Sequence, residues 1–246
     1  MDRILKRIYY DVSHPASYSG VNRLYRAVKA RGISMKQVRD WLSMQETYTL
    51  FKPARVKFLR APVVVSSLDR QWELDLVEMS HVFTLDGREV TLPDRNDQVR
   101  YILMVIDVFS KFAWARGVTS KRSVEVAKAF ESILADTAPR IPRTTRSDMG
   151  SEFNSAVFKK MLDSHGIKPY YALAETKAAF VERVIKTIKG RIMKYVSHEG
   201  KVRYIDVLPD MMEAYNAAVH SATGWAPADI GIEDQSEVEY DSYLRR

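Results

Sequence analysis

Three carboxylates stand in this chain where they could do chemistry together. In QWELDLVEM, residues 71 to 79, strand alternation puts Trp72, Leu74 and Leu76 on one face and Glu73, Asp75 and Val77 on the other. Leu74 and Leu76 flank Asp75, so its charge sits inside an apolar sheet. That costs several kcal/mol, on the order of an effective burial penalty, unless a cation or donor compensates it. In RSDMGSEF, residues 146 to 153, Asp148 ends a strand and Gly150 follows at the bend. Asp and Gly are ordinary turn formers, and a turn alone accounts for those eight residues. The other reading places Asp148 at the mouth of a reaction site, with Gly150 leaving room for a phosphate backbone. Glu182 lies near the start of a helix, AAFVERVIKTIKGRIMKYV. If the two strands are neighbours and the helix begins beside them, three acids converge. Like charges that close raise one another's pKa, and divalent cations relieve the conflict. Oxygen ligands without His or Cys select Mg²⁺ or Mn²⁺.

Cations follow on the same helix. Lys186 and Lys189 fall at i+4 and i+7 from Glu182, with Arg183 and Lys177 nearby. They would line the approach of a phosphate chain, or else form a salt-bridged exposed helix face. Competing acids have other expected roles. Asp107 in VIDVFSK is expected to bond Ser110 or Lys111, Glu175 is a second candidate for the third ligand but sits less firmly in a loop, and Glu152 belongs to the turn or the following helix start. His220 is expected to pack or bond locally.

The elements that must position these groups are legible from periodicity. Strands are expected at 71–79, 82–92 as a hairpin around Asp86-Gly87, 101–109 and 111–118, with antiparallel connections. Helices then alternate with strands: SVEVAKAFESILADT, a strand at RTTRSD, SAVFKKMLDSHG, a strand at IKPYYAL, and a long helix from about 178 to 196. This describes an α/β fold, a mixed sheet with helices on both faces. Ahead of it come three helical pieces. Ile4, Leu5, Ile8 and Tyr9 form one apolar stripe, and Val21, Leu24, Tyr25 and Val28 another. Ser34 with Gln37 makes a capping box for a third helix that buries Val38, Trp41 and Leu42. Lys36 and Arg39 on that helix are positioned as in a helix-turn-helix, although a plain three-helix bundle has the same pattern. The expected organisation is a helical DNA-binding domain at 1–50, a basic linker at 51–68 that includes Lys57, a catalytic core at 69–232, and an acidic tail at 233–246.

Composition narrows the class further. A hydrophobic content of 46% with 11% aromatics is that of a packed globular chain. There are no cysteines, and none of the five histidines forms a zinc-like pair, so thiol chemistry is excluded and no zinc is expected. No apolar run approaches the roughly 18 residues of a membrane helix, so no membrane is expected as a partner. Residues 1–65 hold thirteen of the Lys and Arg against four Asp and Glu, while the rest is close to neutral. Such asymmetry marks a polyanion-binding end.

The set QWELDLVEM, YILMVIDVFSKFAWA, SDMGSEF, KAAFVERVIKTIKGRI and YNAAVHSATGWAPADI resembles, in order, the integrase core of retroviruses and retrotransposons. That core has a ribonuclease H-like fold. The chain is especially similar to the integrases of Maverick (Polinton) DNA transposons and virophages, and this likeness extends through YYDVSHPASYSGVNRLYRAVK and KQVRDWLSMQETYTL. The resemblance implies a polynucleotidyl transferase that processes DNA 3′ ends and joins them to target DNA. Two Mg²⁺ or Mn²⁺ ions would be held by Asp75, bridging both, and by Asp148 and Glu182, one each. It also implies double-stranded DNA as partner, a homodimer or homotetramer, and an intracellular location in the host nucleus or a virion. Two features depart from the retroviral pattern: the His-His-Cys-Cys zinc domain is absent, and the gap of 34 positions from Asp148 to Glu182 is slightly short. A chain that stops soon after the core would also lack the terminal barrel or chromodomain of many relatives. A non-catalytic DNA-binding remnant and a metal-dependent nuclease of the same fold are the alternatives.

Overall fold

The computed structural model describes residues 1–51, 64–85, 88–171 and 178–245, and at 84, 85 and 88 the backbone only. Contacts divide the chain into two compact units, Met1–Val63 with Thr187–Ala218, and Val64–Lys186 with Val219–Arg246.

The helical unit begins with α1 (Asp2–Tyr9), α2 (Val21–Val28), α3 (Met35–Ser43) and a short α4 (Glu46–Leu50). The apolar stripes explain their packing: Leu5, Ile8 and Tyr9 meet Leu24, Val28, Val38, Trp41 and Leu42 in one buried cluster. Gly32, at φ +73°, takes the left-handed position that ends the α2 extension. The expected capping box then starts α3, with the Gln37 N–H donating to Ser34 Oγ at 3.2 Å and the Ser34 N–H to Gln37 Oε1 at 2.8 Å. Trp41 Nε1 donates to Asp2 Oδ1 at 2.8 Å and ties α3 to α1.

The second unit is built on β1 (Gln71–Glu78), β2 (Val82–Leu85), β3 (Arg88–Thr91), α5 (Leu92–Arg95), β4 (Tyr101–Asp107), β5 (Ala113–Val118), α6 (Ser123–Thr137), β6 (Thr144–Ser147), α7 (Ala156–Ser164), β7 (Lys168–Tyr171) and the start of α8 (Ala179–Glu199). Five strands form a sheet in the order β5-β4-β1-β6-β7, and β2 with β3 forms a separate ribbon. The hairpin expected at 82–92 therefore stays out of the main sheet, and β1 pairs antiparallel with β4 instead. The reason lies in burial. Ile102 to Asp107 are buried throughout and need a strand on either side, whereas Val82 is 56% exposed. The turn residues Asp86 and Gly87 lie outside the described residues.

β1 joins β6, and β6 joins β7, in parallel register. One face of the sheet carries Trp72, Leu74, Leu103 and Val105 against Phe130, Ile133 and Leu134 of α6 and Phe158 and Leu162 of α7. The opposite face of β1 meets the first turn of α8. After α9 (Leu208–Asn216), which belongs to the helical unit, the chain ends in α10 (Gln235–Leu244). This last segment, expected as an acidic surface tail, is a docked helix: Val238 is fully buried with Phe109 and Ile230, and Trp225 Nε1 donates to Asp241 Oδ2 at 3.0 Å.

Candidate active site

The parallel pairing of β1 with β6 sets the site. Glu73 lies opposite Arg146 in that register. Two residues further along come Asp75, within β1, and Asp148, just past the carboxyl end of β6. Open α/β sheets place their ligands at such strand ends. Glu182 arrives from the first turn of α8, which starts beside β1. The three acids singled out from the sequence thus come from adjacent elements of one unit.

The start of α8 is positioned by a residue that sequence reasoning passed over. Ala178 and Ala179 offer no capping side chain, so the amide groups of the first turn need a partner from elsewhere. Glu73 Oε2 accepts both, from Phe180 N–H at 2.9 Å and Val181 N–H at 3.1 Å. Its other oxygen takes Arg146 Nη1 at 3.4 Å. Glu73 is fully buried and Arg146 is 7% exposed. Burial raises the Glu73 carboxyl, and the two amides, Arg146 and Lys111 oppose that rise. One carboxylate therefore links β1, which carries Asp75, to β6, which leads to Asp148, and to α8, which carries Glu182. The signal available in the sequence was the acid two residues before Asp75 on the same face, together with a helix lacking its own cap.

Asp75 is half-buried, while Asp148 and Glu182 are exposed. The Asp75 carboxyl is pushed up to about 6, first by burial and then by Asp148, Glu182 and Glu152, against one Leu76 N–H bond. That bond is 2.8 Å long. Three other acids are thus close enough to Asp75 to disfavour its charge. Asp148 Oδ1 accepts the Gly150 N–H at 3.1 Å, closing the turn that the sequence suggested. Glu152 lies in the next turn, as expected. A Cβ on Gly150 would come within 2.8 Å of the Glu152 carboxyl, the far end of a flexible side chain that lies over this glycine.

Among the described residues no group of three or more His, Asp or Glu side chains is drawn together closely enough to hold a metal ion. The donor set nonetheless fits a hard divalent cation: it is all oxygen and held on adjacent elements, and Asp75 has its charged form disfavoured by burial and by its acidic neighbours. Asp148 and Glu182 are exposed, and among the described residues the Glu182 carboxylate makes no hydrogen bond or ion pair.

The remaining candidates divide. Asp107 is structural, accepting Ser110 N–H at 2.9 Å and Ser110 Oγ at 2.6 Å in full burial. The backbone of His220 closes the local turn to Trp225 and Gly224. Lys186 and Arg183 are exposed on α8, Arg183 with its guanidinium 5.9 Å from the Phe180 ring. Lys189 is half-buried in the part of α8 that belongs to the helical unit. Lys36 and Arg39 are exposed on α3. Lys57, Lys177 and Glu175 lie outside the described residues.

Comparison with known proteins follows the same lines. Residues 68–176 match the family model described as Integrase core domain, a span that contains Asp75 and Asp148 and ends before Glu182. A transposon-derived protein of Caenorhabditis elegans is 32% identical over 135 residues, 55% of this chain and 47% of that protein. The retrovirus-related Pol polyprotein from transposon 297 of Drosophila melanogaster is 26% identical over 132 residues, 53% of this chain and 12% of that one. The chain thus spans about half of the first relative and a small part of the second. Among solved structures, the simian T-cell lymphotropic virus intasome in complex with PP2A regulatory subunit B56 gamma superposes with a TM-score of 0.52 at 16% identity, covering 80% of this chain and 68% of that one. The HTLV-2 integrase catalytic core domain in complex with magnesium, in its dimeric form, gives 0.50 at 18% identity, covering 67% and 97%. At these identities the likeness is one of fold, and the fold is ribonuclease H-like. Residues 68–176 are thus similar to the integrase core domain found in retroviral and retrotransposon proteins.

Proposed function

We propose that this protein is a DNA integrase that trims the 3′ ends of a mobile element or viral genome and joins them to target DNA. The observation that carries the reading is the placement of Asp75, Asp148 and Glu182 on three adjacent elements, with the carboxyl of Asp75 raised first by burial and then by its acidic neighbours. In the first step a water oxygen attacks a phosphodiester and frees a 3′-hydroxyl. In the second, that hydroxyl attacks a target phosphodiester and displaces the target's own 3′-oxygen. One phosphodiester replaces another, so joining needs no external energy source. Two Mg²⁺ or Mn²⁺ ions held by the three acids would supply Lewis acidity to the attacking and leaving oxygens. The chain's own residues orient and hold. Glu73 fixes α8, and with it Glu182; Arg183, Lys186, Lys189 and Lys177 line the approach of the phosphate chain. Lys36, Arg39 and Lys57, in the basic amino-terminal segment, bind DNA away from the reacting atoms. Two DNA ends require at least two active sites, so the working form is a homodimer or homotetramer. The motif likeness through the amino-terminal part supports a source among Maverick (Polinton) or virophage elements.

The test is a disintegration assay on branched DNA with Mn²⁺, comparing the wild type with Glu182→Gln. Product from the wild type alone supports the reading. Absence of product from a folded, metal-binding wild type refutes it in favour of a DNA-binding remnant, and nicking without any transfer favours a nuclease.

A further inference from the structure

The helical unit buries cations that no acid meets. Arg191 of α8 is 3% exposed. Its Nη1 donates to the Met211 carbonyl of α9 at 3.0 Å, and its Nη2 is buried without a hydrogen-bond partner. One turn further on, Lys194 is half-buried, with its Nζ donating to the Tyr18 carbonyl at 3.0 Å and lying 5.8 Å from the centre of the Tyr48 ring. Arg23 of α2, also half-buried, is close enough to Arg191 for the two charges to repel, and Arg191 repels Lys194 in turn. Burial and this crowding push Arg191 down to about 10 and Lys194 down to about 8.

No carboxylate is among the charges that act on Arg23, Arg191 or Lys194, and several acids of this unit are engaged elsewhere. Asp2 serves Trp41 and Lys6, Asp206 serves Arg203, and Glu199 lies by His198. Among the described residues no carboxylate pairs with Arg23, Arg191 or Lys194. Residues 52–63, outside that description, contain no Asp or Glu in sequence. An ionised guanidinium taken out of water without a counter-charge costs several kcal/mol, on the order of the effective penalty for a single ion. A water molecule satisfies the open N–H but leaves the charge uncompensated, and two further cations beside it make that worse. A tetrahedral oxyanion answers both demands, because guanidinium forks match its oxygens and an ammonium adds a point charge.

We propose that Arg23, Arg191 and Lys194 form a phosphate-binding site in the helical unit. Arg191 offers its open Nη2 at the bottom, and the half-buried Arg23 and Lys194 close over the anion from the solvent side. The phosphate is either a free one or one carried on a nucleic-acid backbone. None of these three residues belongs to the carboxylate site, and the proposal stands whether or not that site is catalytic.

The test uses the full chain with inorganic phosphate as probe, titrated calorimetrically and by thermal shift against sodium chloride at matched ionic strength. Saturable binding and a rise in Tm are expected with phosphate and not with chloride. Arg23→Gln, on the solvent side, and Arg191→Met, which removes the charge at similar volume, should each weaken phosphate binding at least tenfold. A response no greater than that of chloride, or binding in both variants within twofold of wild type, overturns the proposal. If Arg191→Met does not fold, Arg23→Gln decides alone. A duplex-DNA anisotropy arm at constant ionic strength separates the sources: competition by phosphate, with weakened DNA binding by Arg23→Gln, identifies a backbone phosphate. DNA affinity unchanged by that substitution identifies a free one.

Discussion

Replacing Asp75 by Asn should stabilise the metal-free protein at neutral pH, although it removes a residue proposed to act in catalysis. Asparagine keeps an oxygen for the Leu76 N–H and has nearly the same shape, so the loss of charge is the main change. The folded chain holds the Asp75 proton up to about pH 6, whereas an ordinary aspartate releases it near 3.8. Between those values the folded state binds more protons than the unfolded state, so stability falls as pH rises through the interval and stays low above it. Two pKa units correspond to about 3 kcal/mol, and partial solvent access reduces this to about 1–3 kcal/mol. For a chain of this size that is a Tm difference of roughly 3–10 °C. The assay is thermal unfolding with a chelator present from pH 4 to 8. The variant should melt higher than wild type at pH 7.5, and the gap should close towards pH 4. Equal melting at pH 7.5, or a gap independent of pH, refutes the assignment of Asp75 as a carboxylate crowded by other acids.

Glu73→Ala leaves the Arg146 guanidinium buried without its acid and two α8 amides without an acceptor. It should cost about 3–5 kcal/mol in denaturant unfolding, and a loss under 1 kcal/mol would contradict the role given to Glu73. Glu73→Gln keeps an acceptor for the amides and should recover part of that loss. Ser34→Ala removes the α3 cap and should cost about 1 kcal/mol by the same measurement, with no change in any metal-dependent activity. DNA binding through the basic amino-terminal segment should be salt-sensitive: with about six phosphates contacted, affinity should drop about a thousandfold between 50 and 200 mM salt, and a flat response in a filter or anisotropy titration would remove that role.

Residues whose pattern is local were readable in advance. The α3 capping box needs only Ser34 and Gln37 three residues apart, and α6 shows its period over fifteen residues, so both appear where expected. Alternation in β1 put Glu73 and Asp75 on the same face. What sequence did not reveal depends on long-range pairing. That β1 takes β4 and β6 as neighbours, and not β2, follows from competition among strands for the sheet's interior. That Glu73 caps α8 depends on a contact across 107 positions. The carboxyl over Gly150 is likewise invisible to turn chemistry, because Asp-x-Gly reads the same whichever side chain lies above it. At α10 the acids along the exposed side hid the apolar residue that docks the helix, the buried Val238.

The most direct test of the central claim is Mn²⁺ binding by the full chain, followed by electron paramagnetic resonance of the free ion, for wild type and for Asp75→Asn, Asp148→Asn and Glu182→Gln. Saturable binding by the wild type that each single substitution abolishes, with the fold intact by circular dichroism, is the result expected of one carboxylate centre. Binding that persists in the variants, or none in the wild type, would contradict it.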